Sequence, residues 1–384
     1  MRSDGGDRAL ALETEIEKAG TLPVEVMHDP GWHRQIRERV FARSWQFVGD
    51  EDSLAAGSGA APAPGGAGVA HPFSLLPGCL NEPLYLARDG DGRLHCRSNA
   101  CTHRGNLVVE EPCRADVLRC RYHGRRFRLD GTFLSMPEFD GVEGFPSERD
   151  HLPRVELAQV GKLLFASLAP GTPFEAVLAP LQDRLSSLPL QRAVMDPSSL
   201  RHYEVNASWI LYCDNYLEGF HIPYAHPSLA RQLSYAEYRT ELFPGAVLQV
   251  GAAAAGGDAF ELPDRSPDHG RRIAAYYLWL FPNTMLNFYP WGISVNVVAP
   301  LSPERTRITF VSYVWDPARR GSGAGAGLDQ VEREDEQLVE SVQRGTRSRL
   351  YRGGRYSASR ETGVHHFHRM LVGALAPDRS GVSR

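Results

Sequence analysis

Two short loops carry the densest chemistry in the chain: Cys101-Thr102-His103, then sixteen residues, then Cys120-Arg121-Tyr122-His123. Each offers one thiolate and one imidazole, so two such loops facing each other present two sulfurs to one metal and two nitrogens to a second. That division suits a two-iron, two-sulfur cluster with one iron on Cys101 and Cys120 and the other on His103 and His123. Imidazoles in place of two thiolates remove negative charge and raise the reduction potential, so the cluster can accept single electrons from a reductase. Zinc could use the same four residues, although zinc fingers usually order their ligands Cys, Cys, His, His, whereas here the two types alternate. Gly105 and Gly124, just past the histidines, let the backbone turn tightly around the sulfides. Cys113 lies between the loops and reads as a packed thiol.

A cluster alone only moves electrons; oxygen chemistry needs a second metal with open positions, which two histidines and a carboxylate supply on one face of ferrous iron. The run from Cys213 to His226 holds His221 and His226, five apart with Pro223 between them. A regular helix would separate such a pair by about 500° of rotation, so the helix must end or distort near Pro223. Glu218, three residues before His221 and on the same helical face, can accept a hydrogen bond from the ring and fix its tautomer. In isolation the segment also fits an ordinary amphipathic helix with a surface and a core histidine; the Cys/His loops upstream turn the reading toward iron. The third ligand must lie far downstream, among Glu334, Asp335, Glu336 and Glu340. Helical geometry alone does not decide, since Asp335, Leu338 and Val339 could share one inward stripe while Glu336 and Glu340 form another.

The elements that must position these groups change in texture along the chain. Spacing predicts a helix over 29–44, with Pro30 at its start and Trp32, Ile36, Val40 and Phe41 near a 3.6-residue repeat. From 45 to 169 short β-type runs alternate with Gly, Pro and Asp turns: 83–87, 94–96, 117–119, 126–129 and 162–167. Within them 55–68 is low in complexity and reads as a mobile surface loop. Beyond 170, a helix over 208–219, strands over 273–281, 285–289, 293–298 and 307–315, and a long polar helix over 328–350 are predicted. A flexible run, 320–327, precedes that last helix, and 252–272 reads as a loop that covers a pocket. The organisation is an N-terminal helical segment, 1–42, packing on a domain over 170–384, with a small all-β domain, 43–169, between. Length permits substantial cores: 384 residues suffice for two domains. With 42 Lys and Arg against 46 Asp and Glu, no footprint for nucleic acid or anionic membrane exists, and a small-molecule substrate is the default. No window approaches a membrane span and the first eighteen residues carry no apolar stretch, so a soluble, cytoplasmic protein is expected. Six scattered cysteines then favour thiols or metal ligands over disulfides.

Three other signals carry less. His365, His366 and His368 are too close in sequence to converge on one metal and read as packing or as partners of other side chains. The run 321–326 fits a loose dinucleotide fingerprint, but no strand with an acid follows at the required spacing, and a flexible loop is the better reading. Tyr212, Tyr216, Phe220 and Tyr224 recur every four residues; as a group they read as core, with some near iron if His221 is.

The Cys-x-His and Cys-x-x-His pair, with Arg104-Gly105 after the first histidine, resembles the Rieske domain of the ring-hydroxylating oxygenase family. Glu218-x-x-His221-x4-His226 resembles that family's catalytic iron motif. The likeness runs from Phe41–Trp45 through Met285–Trp291 to Gln343–Gly345. It lies nearer the quaternary-amine branch that includes choline monooxygenase than the dihydroxylating naphthalene type, on Cys213-Asp-Asn-Tyr216 and Pro223-Tyr-Ala-His226. The resemblance implies an α+β fold: a small all-β Rieske domain holding a [2Fe-2S] cluster, and a helix-grip catalytic domain, a curved antiparallel sheet over a long helix, holding mononuclear Fe(II). It favours Asp335 as third ligand, five residues before an acid matching Glu340, with Glu334 second. It implies that Glu218 links His221 to His123 of the next chain in a homotrimer; family members often carry Asp there. With no flavin or nicotinamide motif present, a separate NAD(P)H-dependent reductase or ferredoxin is implied. The expected reaction is hydroxylation or oxidative demethylation of an aromatic compound or a quaternary amine. A trimethylammonium group would want an aromatic cage with a nearby carboxylate, to which Tyr216, Phe220, Tyr289 and Trp291 could contribute; an arene could use the same residues. A cluster-bearing electron carrier without oxygenase activity and a zinc-bearing binding module are the readings from other classes.

Overall fold

The computed structural model describes residues 10–56 and 67–376. Most of the loop expected to be mobile, 57–66, lies outside the described residues, while its ends belong to a short helix, Ser53–Ala56, and a strand that opens at Gly68. The chain divides into two compact units, Ala42–Gly171 and the chain up to Phe41 together with that from Thr172 onward.

The Ala42–Gly171 unit is built of β1 (Gln46–Asp50), β2 (Gly68–Leu75), β3 (Glu82–Arg88), β4 (Leu94–Ser98), β5 (Cys113–Ala115), β6 (Val117–Arg119), β7 (Arg126–Arg128), β8 (Phe133–Ser135), β9 (Glu156–Val160) and β10 (Leu163–Ser167). They form antiparallel sheets in the orders β1-β10-β9, β4-β3-β2-β5 and β6-β7-β8. β3 is buried on both faces, and its period of two assigns each face a partner. Leu84 and Leu86 pack with Leu75, Leu164 and Ala166. Tyr85 and Ala87 pack with Phe127, Leu118 and the thiol-bearing Cys101 and Cys120. The Cys/His loops are thus packed, at Cys101 and Cys120, into the cluster on one face of β3.

The second unit carries one antiparallel sheet of seven strands: β11 (Val194–Val205), β12 (Arg239–Phe243), β13 (Ala246–Ala252), β14 (Ile273–Leu280), β15 (Thr284–Tyr289), β16 (Gly292–Ser302) and β17 (Arg305–Val314). Its order is β11-β17-β16-β15-β14-β13-β12. The last four match the strands expected from sequence. β11 was not visible as a strand because it alternates little and is largely exposed, and β13 because all seven of its residues are buried and show no period. The long helix spans Leu328–Thr346, ending four residues before its expected end. Its buried stripe is Glu332, Val339, Gln343 and Thr346; Leu338 is exposed, so the stripe proposed with Leu338 in it is wrong. Gln343 accepts from Ser208 N–H at 2.9 Å, tying this helix to the start of the helix Trp209–Tyr216. Near the N-terminus the helix Pro30–Arg39 is capped by Asp29, whose carboxylate accepts from Gly31 and Trp32 N–H, and it gives way to a 3-10 turn at Phe41–Arg43.

Two expected loops behave differently from their composition. The glycine-rich run before the long helix is packed: Gly323–Gly325 forms a 3-10 turn, Ala324 is buried, and a Cβ on Gly325 would meet Trp291 Nε1 at 2.3 Å. The connection between β13 and β14 does not line the site cavity; it is pinned by Asp268. That carboxylate is 1% exposed and takes Arg184 Nε at 2.7 Å, Arg239 and the Tyr276 hydroxyl at 2.9 Å. Burial pushes the Asp268 carboxyl up, but hydrogen bonding and charge from Arg184 prevail and hold it below its ordinary value of 3.8. Its contribution is therefore present above the unfolded pKa and lost as pH falls through the depressed folded one. Asp268→Asn should cost about 3 kcal/mol, the low end for breaking a buried pair because Glu241 still engages both arginines. A lowered urea midpoint at pH 7, with the difference shrinking below about pH 4, checks this. Among the described residues no helix is long and apolar enough to cross a membrane.

Candidate metal centres

The two Cys/His loops have the same backbone construction. Gly105 N–H donates to Cys101 O and Gly124 N–H to Cys120 O, while Cys101 and Cys120 N–H donate to Asn106 O and Arg125 O. Both glycines sit in the left-handed region, at φ 72° and 76°, where an L side chain would be strained. The thiols are buried and adjacent, and burial, then hydrogen bonding with Cys120, raises Cys101. The imidazoles of His103 and His123 lie together at the outer side, ring centroids 4.7 Å apart, and His103 Nδ1 is buried without a partner. Donors of one tetrahedral zinc, with bonds of about 2.0–2.3 Å, would all lie within about 4 Å of one another. Among the described residues the group of three or more donor atoms converging within 4.8 Å is His221, His226 and Asp335, not these four. Sulfurs paired on one side and nitrogens on the other fit two metals. Behind the loops, Arg125 is buried, pairs with Asp150 at 2.6 Å and lies over Phe133, Phe145 and Phe127.

In the second unit the helix Trp209–Tyr216 ends before the histidines. His221 precedes a one-turn helix, Ile222–Ala225, and His226 follows it in a non-helical conformation ahead of Pro227. Pro223 therefore starts a turn instead of breaking one; the breaks fall at 217–221 and at His226, the residue that a following proline drives out of the α region. The two rings meet edge to face, centroids 5.0 Å apart. His226 Nε2 lies 2.9 Å and His221 Nε2 3.6 Å from the same oxygen, Asp335 Oδ1. Donors in adjacent positions of an octahedral metal with bonds of about 2.1 Å lie about 3.0 Å apart, so this group fits one ion. The other ring nitrogens are held by carboxylates: His221 Nδ1 donates to Glu218 at 2.5 Å and His226 Nδ1 to Glu334 at 2.7 Å. Carboxylates only accept, so with the Nδ1 protons committed to Glu218 and Glu334 each neutral ring turns an Nε2 lone pair toward Asp335 Oδ1, a set of three acceptors that a metal ion would join. Burial alone would lower His226, but Asp335 and Glu334 raise it above its ordinary range; a cation at Nε2 would answer the same charge. Glu340 instead accepts from Asn206 N–H at 2.9 Å.

Against this group lies a cavity of about 110 Å³. Its floor is a row across the sheet, Gln249, Tyr277, Asn287 and Ser294, paired in register on β13 to β16. Tyr289, Asn296 and Phe310 extend that face, and Tyr212, Tyr216, Tyr238, Ala324 and Glu332 complete the walls. Tyr216 hydroxyl donates to Asn287 at 2.7 Å and Tyr238 hydroxyl to Gln249 at 3.1 Å. Of the four aromatic residues expected to contribute to a cage, Tyr216 and Tyr289 line the cavity, as does Tyr212 from the group read as core. Phe220 is 40% exposed and Trp291 packs behind Tyr289, and neither reaches it. Tyr224 is exposed, not core. Gln249, Asn287, Ser294, Asn296 and Glu332 were missed; polar residues at alternate positions of otherwise apolar strands were the available signal. His365, His366 and His368 turn to separate partners, Glu13 O, Phe243 O and the Tyr356 hydroxyl.

Comparison with known proteins finds relatives of both units. Residues 75–146 match the Rieske [2Fe-2S] domain and 195–376 the catalytic domain of the ring-hydroxylating alpha subunit. The chain is 30% identical to the chloroplastic choline monooxygenase of Arabidopsis thaliana over 93% of its own length and 83% of that protein's. It is 28% identical to the carnitine monooxygenase oxygenase subunit of Escherichia coli K12, covering 93% and 94%. The crystal structure of a quaternary ammonium Rieske monooxygenase with L-carnitine shares the fold, at TM-score 0.70 and 24% identity over 93% and 96% of the two chains. With a [2Fe-2S] domain ahead of a mononuclear-iron domain and relatives matched along almost its whole length, the chain belongs to the Rieske oxygenases of the ring-hydroxylating alpha-subunit family.

Proposed function

We propose that this oxygenase acts on a small quaternary ammonium compound, oxidising a C–H bond next to the cationic nitrogen with dioxygen and electrons from a separate NAD(P)H-dependent reductase or ferredoxin. The balance is one C–H bond, one O2, two electrons and two protons giving C–OH and water. The observation that carries the reading is the cavity wall: Tyr212, Tyr216, Tyr238, Tyr277 and Tyr289 surround the space beside the His221, His226 and Asp335 group. Burial pushes these phenols up, so they stay neutral π-faces, each able to add about 0.5–2 kcal/mol to a cation over its ring. An arene slot would be apolar throughout, whereas Gln249, Asn287, Ser294 and Asn296 line this one. The choline and carnitine oxygenases among its relatives support the same substrate class.

In this reading Cys101, Cys120, His103 and His123 hold the cluster, and His221, His226 and Asp335 hold the iron. When bound, the cluster supplies single electrons and the iron activates dioxygen. Glu218 and Glu334 fix the two imidazoles with Nε2 inward, and the tyrosines orient the substrate and exclude water. We assign a homotrimer in which Glu218 meets His123 of an adjacent copy. Each unit supports this with exposed aromatics beside its metal donors: Tyr122 next to His123 in one, Phe220 and Tyr224 flanking His221 in the other. Reconstituted protein given a panel of quaternary amines and aromatic acids is expected to couple oxygen uptake to product with the amines. Coupled turnover of aromatic acids alone would refute the substrate class. Iron and sulfide in a ratio of about three to two separates the enzyme from a cluster-only carrier or a zinc module.

A further inference from the structure

We propose that Glu332 is the residue by which the cavity selects a positively charged substrate: one carboxylate oxygen is anchored by Tyr212 and the other is offered to the cationic group. This rests on the quaternary-amine reading above and names the residue that would enforce it. Glu332 lies on the inner stripe of the long helix and is 6% exposed. Its Oε2 accepts the Tyr212 hydroxyl at 2.7 Å, while its Oε1 is buried and has no hydrogen-bond partner. Buried carboxylate oxygens without a partner are rare and costly, and each needs an explanation.

The surroundings supply one. Among the described residues the cavity lining holds three carboxylates, Glu218, Asp335 and Glu332, and neither Lys nor Arg. Glu218 is committed to His221, and Asp335 to the histidine pair. Glu332 is the acid left over. Burial first, then the neighbouring Asp335, Glu336 and Asp329, push its carboxyl well above the usual range. A cation lodged against Oε1 would favour the charged form again, and a neutral guest would not.

Position strengthens the case. Glu332, Ser294, Phe310 and Leu328 line both the cavity beside the metal donors and an adjoining one of about 370 Å³. Glu332 also precedes Asp335 by three residues, about 4.5 Å along the helix axis. A trimethylammonium group held at Glu332 would point a methyl toward the metal donors and its tail into the larger space.

The competing account makes Glu332 a structural tether between two helices through Tyr212. Calorimetric titration of the reconstituted holoenzyme with choline and with its uncharged isostere 3,3-dimethyl-1-butanol separates the two. Wild type should bind choline at least about tenfold tighter, a ratio worth about 1.4 kcal/mol. Glu332→Gln should bring the ratio within about threefold and leave the isostere's affinity unchanged, whereas Glu332→Asp should retain a preference for choline. A tether would lower stability and weaken both ligands alike. Should the Gln variant fold poorly, Tyr212→Phe, which keeps the carboxylate and removes its anchor, should weaken choline several-fold and spare the isostere. A Gln variant with intact cluster absorbance and an undiminished ratio overturns the role of Glu332, as does equal loss of both ligands in the Phe variant. If wild type itself does not favour choline or carnitine over the isostere, the quaternary-amine reading falls, and this inference with it.

Discussion

Asp335→Ala is expected to abolish turnover, by about a thousandfold or more, while the visible spectrum of the cluster persists. Asp335 Oδ1 is the atom on which both histidine Nε2 atoms converge, and among the described residues it is the carboxylate grouped with them. Without it two imidazoles remain, too few to retain ferrous iron on one face. The cluster residues belong to the other compact unit, so iron content should fall by about one third with sulfide unchanged. Glu334→Gln supplies the contrast. Its oxygen touches the far side of His226, at Nδ1, where loss of such a partner typically costs about 10–100-fold in metal affinity or activity. Metal analysis and coupled oxygen uptake on both variants decide between the two acids. If the Glu334 variant were the one stripped of iron, the assignment of Asp335 would have to be exchanged for it.

That contrast also separates the parts of the site that are local in sequence from those that are not. Motif spacing reached the Cys/His loops and the histidine pair because each is a local arrangement, complete within a few residues. The acid was different. Glu334 and Asp335 are neighbours, and only the rotation of the long helix about its axis separates them. That rotation is set by contacts distant in sequence, Gln343 to Ser208 and Glu332 to Tyr212. Period-two patterning found β14 to β17, yet not the row Gln249, Tyr277, Asn287 and Ser294, which exists only once four strands are in register. Composition misled at 320–327, where glycine reads as flexibility. Gly325 serves a close approach to the Trp291 ring, and only the fold reveals what a glycine must make room for.

Glu218→Gln is expected to leave the cluster reducible by dithionite at an unchanged rate and to cut steady-state turnover by at least about a hundredfold, the upper end for loss of an outer partner of a metal ligand. Both oxygens of Glu218 are engaged: Oε1 accepts from His221 Nδ1 at 2.5 Å, and Oε2 from the N–H groups of His221, at 3.0 Å, and Phe220. The amide of Gln has one accepting oxygen, so it can serve the ring or the backbone, and it carries no charge. Two consequences must be separated. If Glu218 only orients His221, the variant should lose iron, and excess ferrous iron should restore most of the rate. If it also connects His221 to His123 of an adjacent copy, the variant should stay slow with iron fully restored. Its cluster, reduced beforehand, should then reoxidise slowly with substrate and oxygen present. Glu218→Asp, one methylene shorter with the charge retained, should recover more turnover than Gln under both conditions. Unimpaired turnover in the Gln variant would remove Glu218 from the path between the centres and leave it a partner of its own loop.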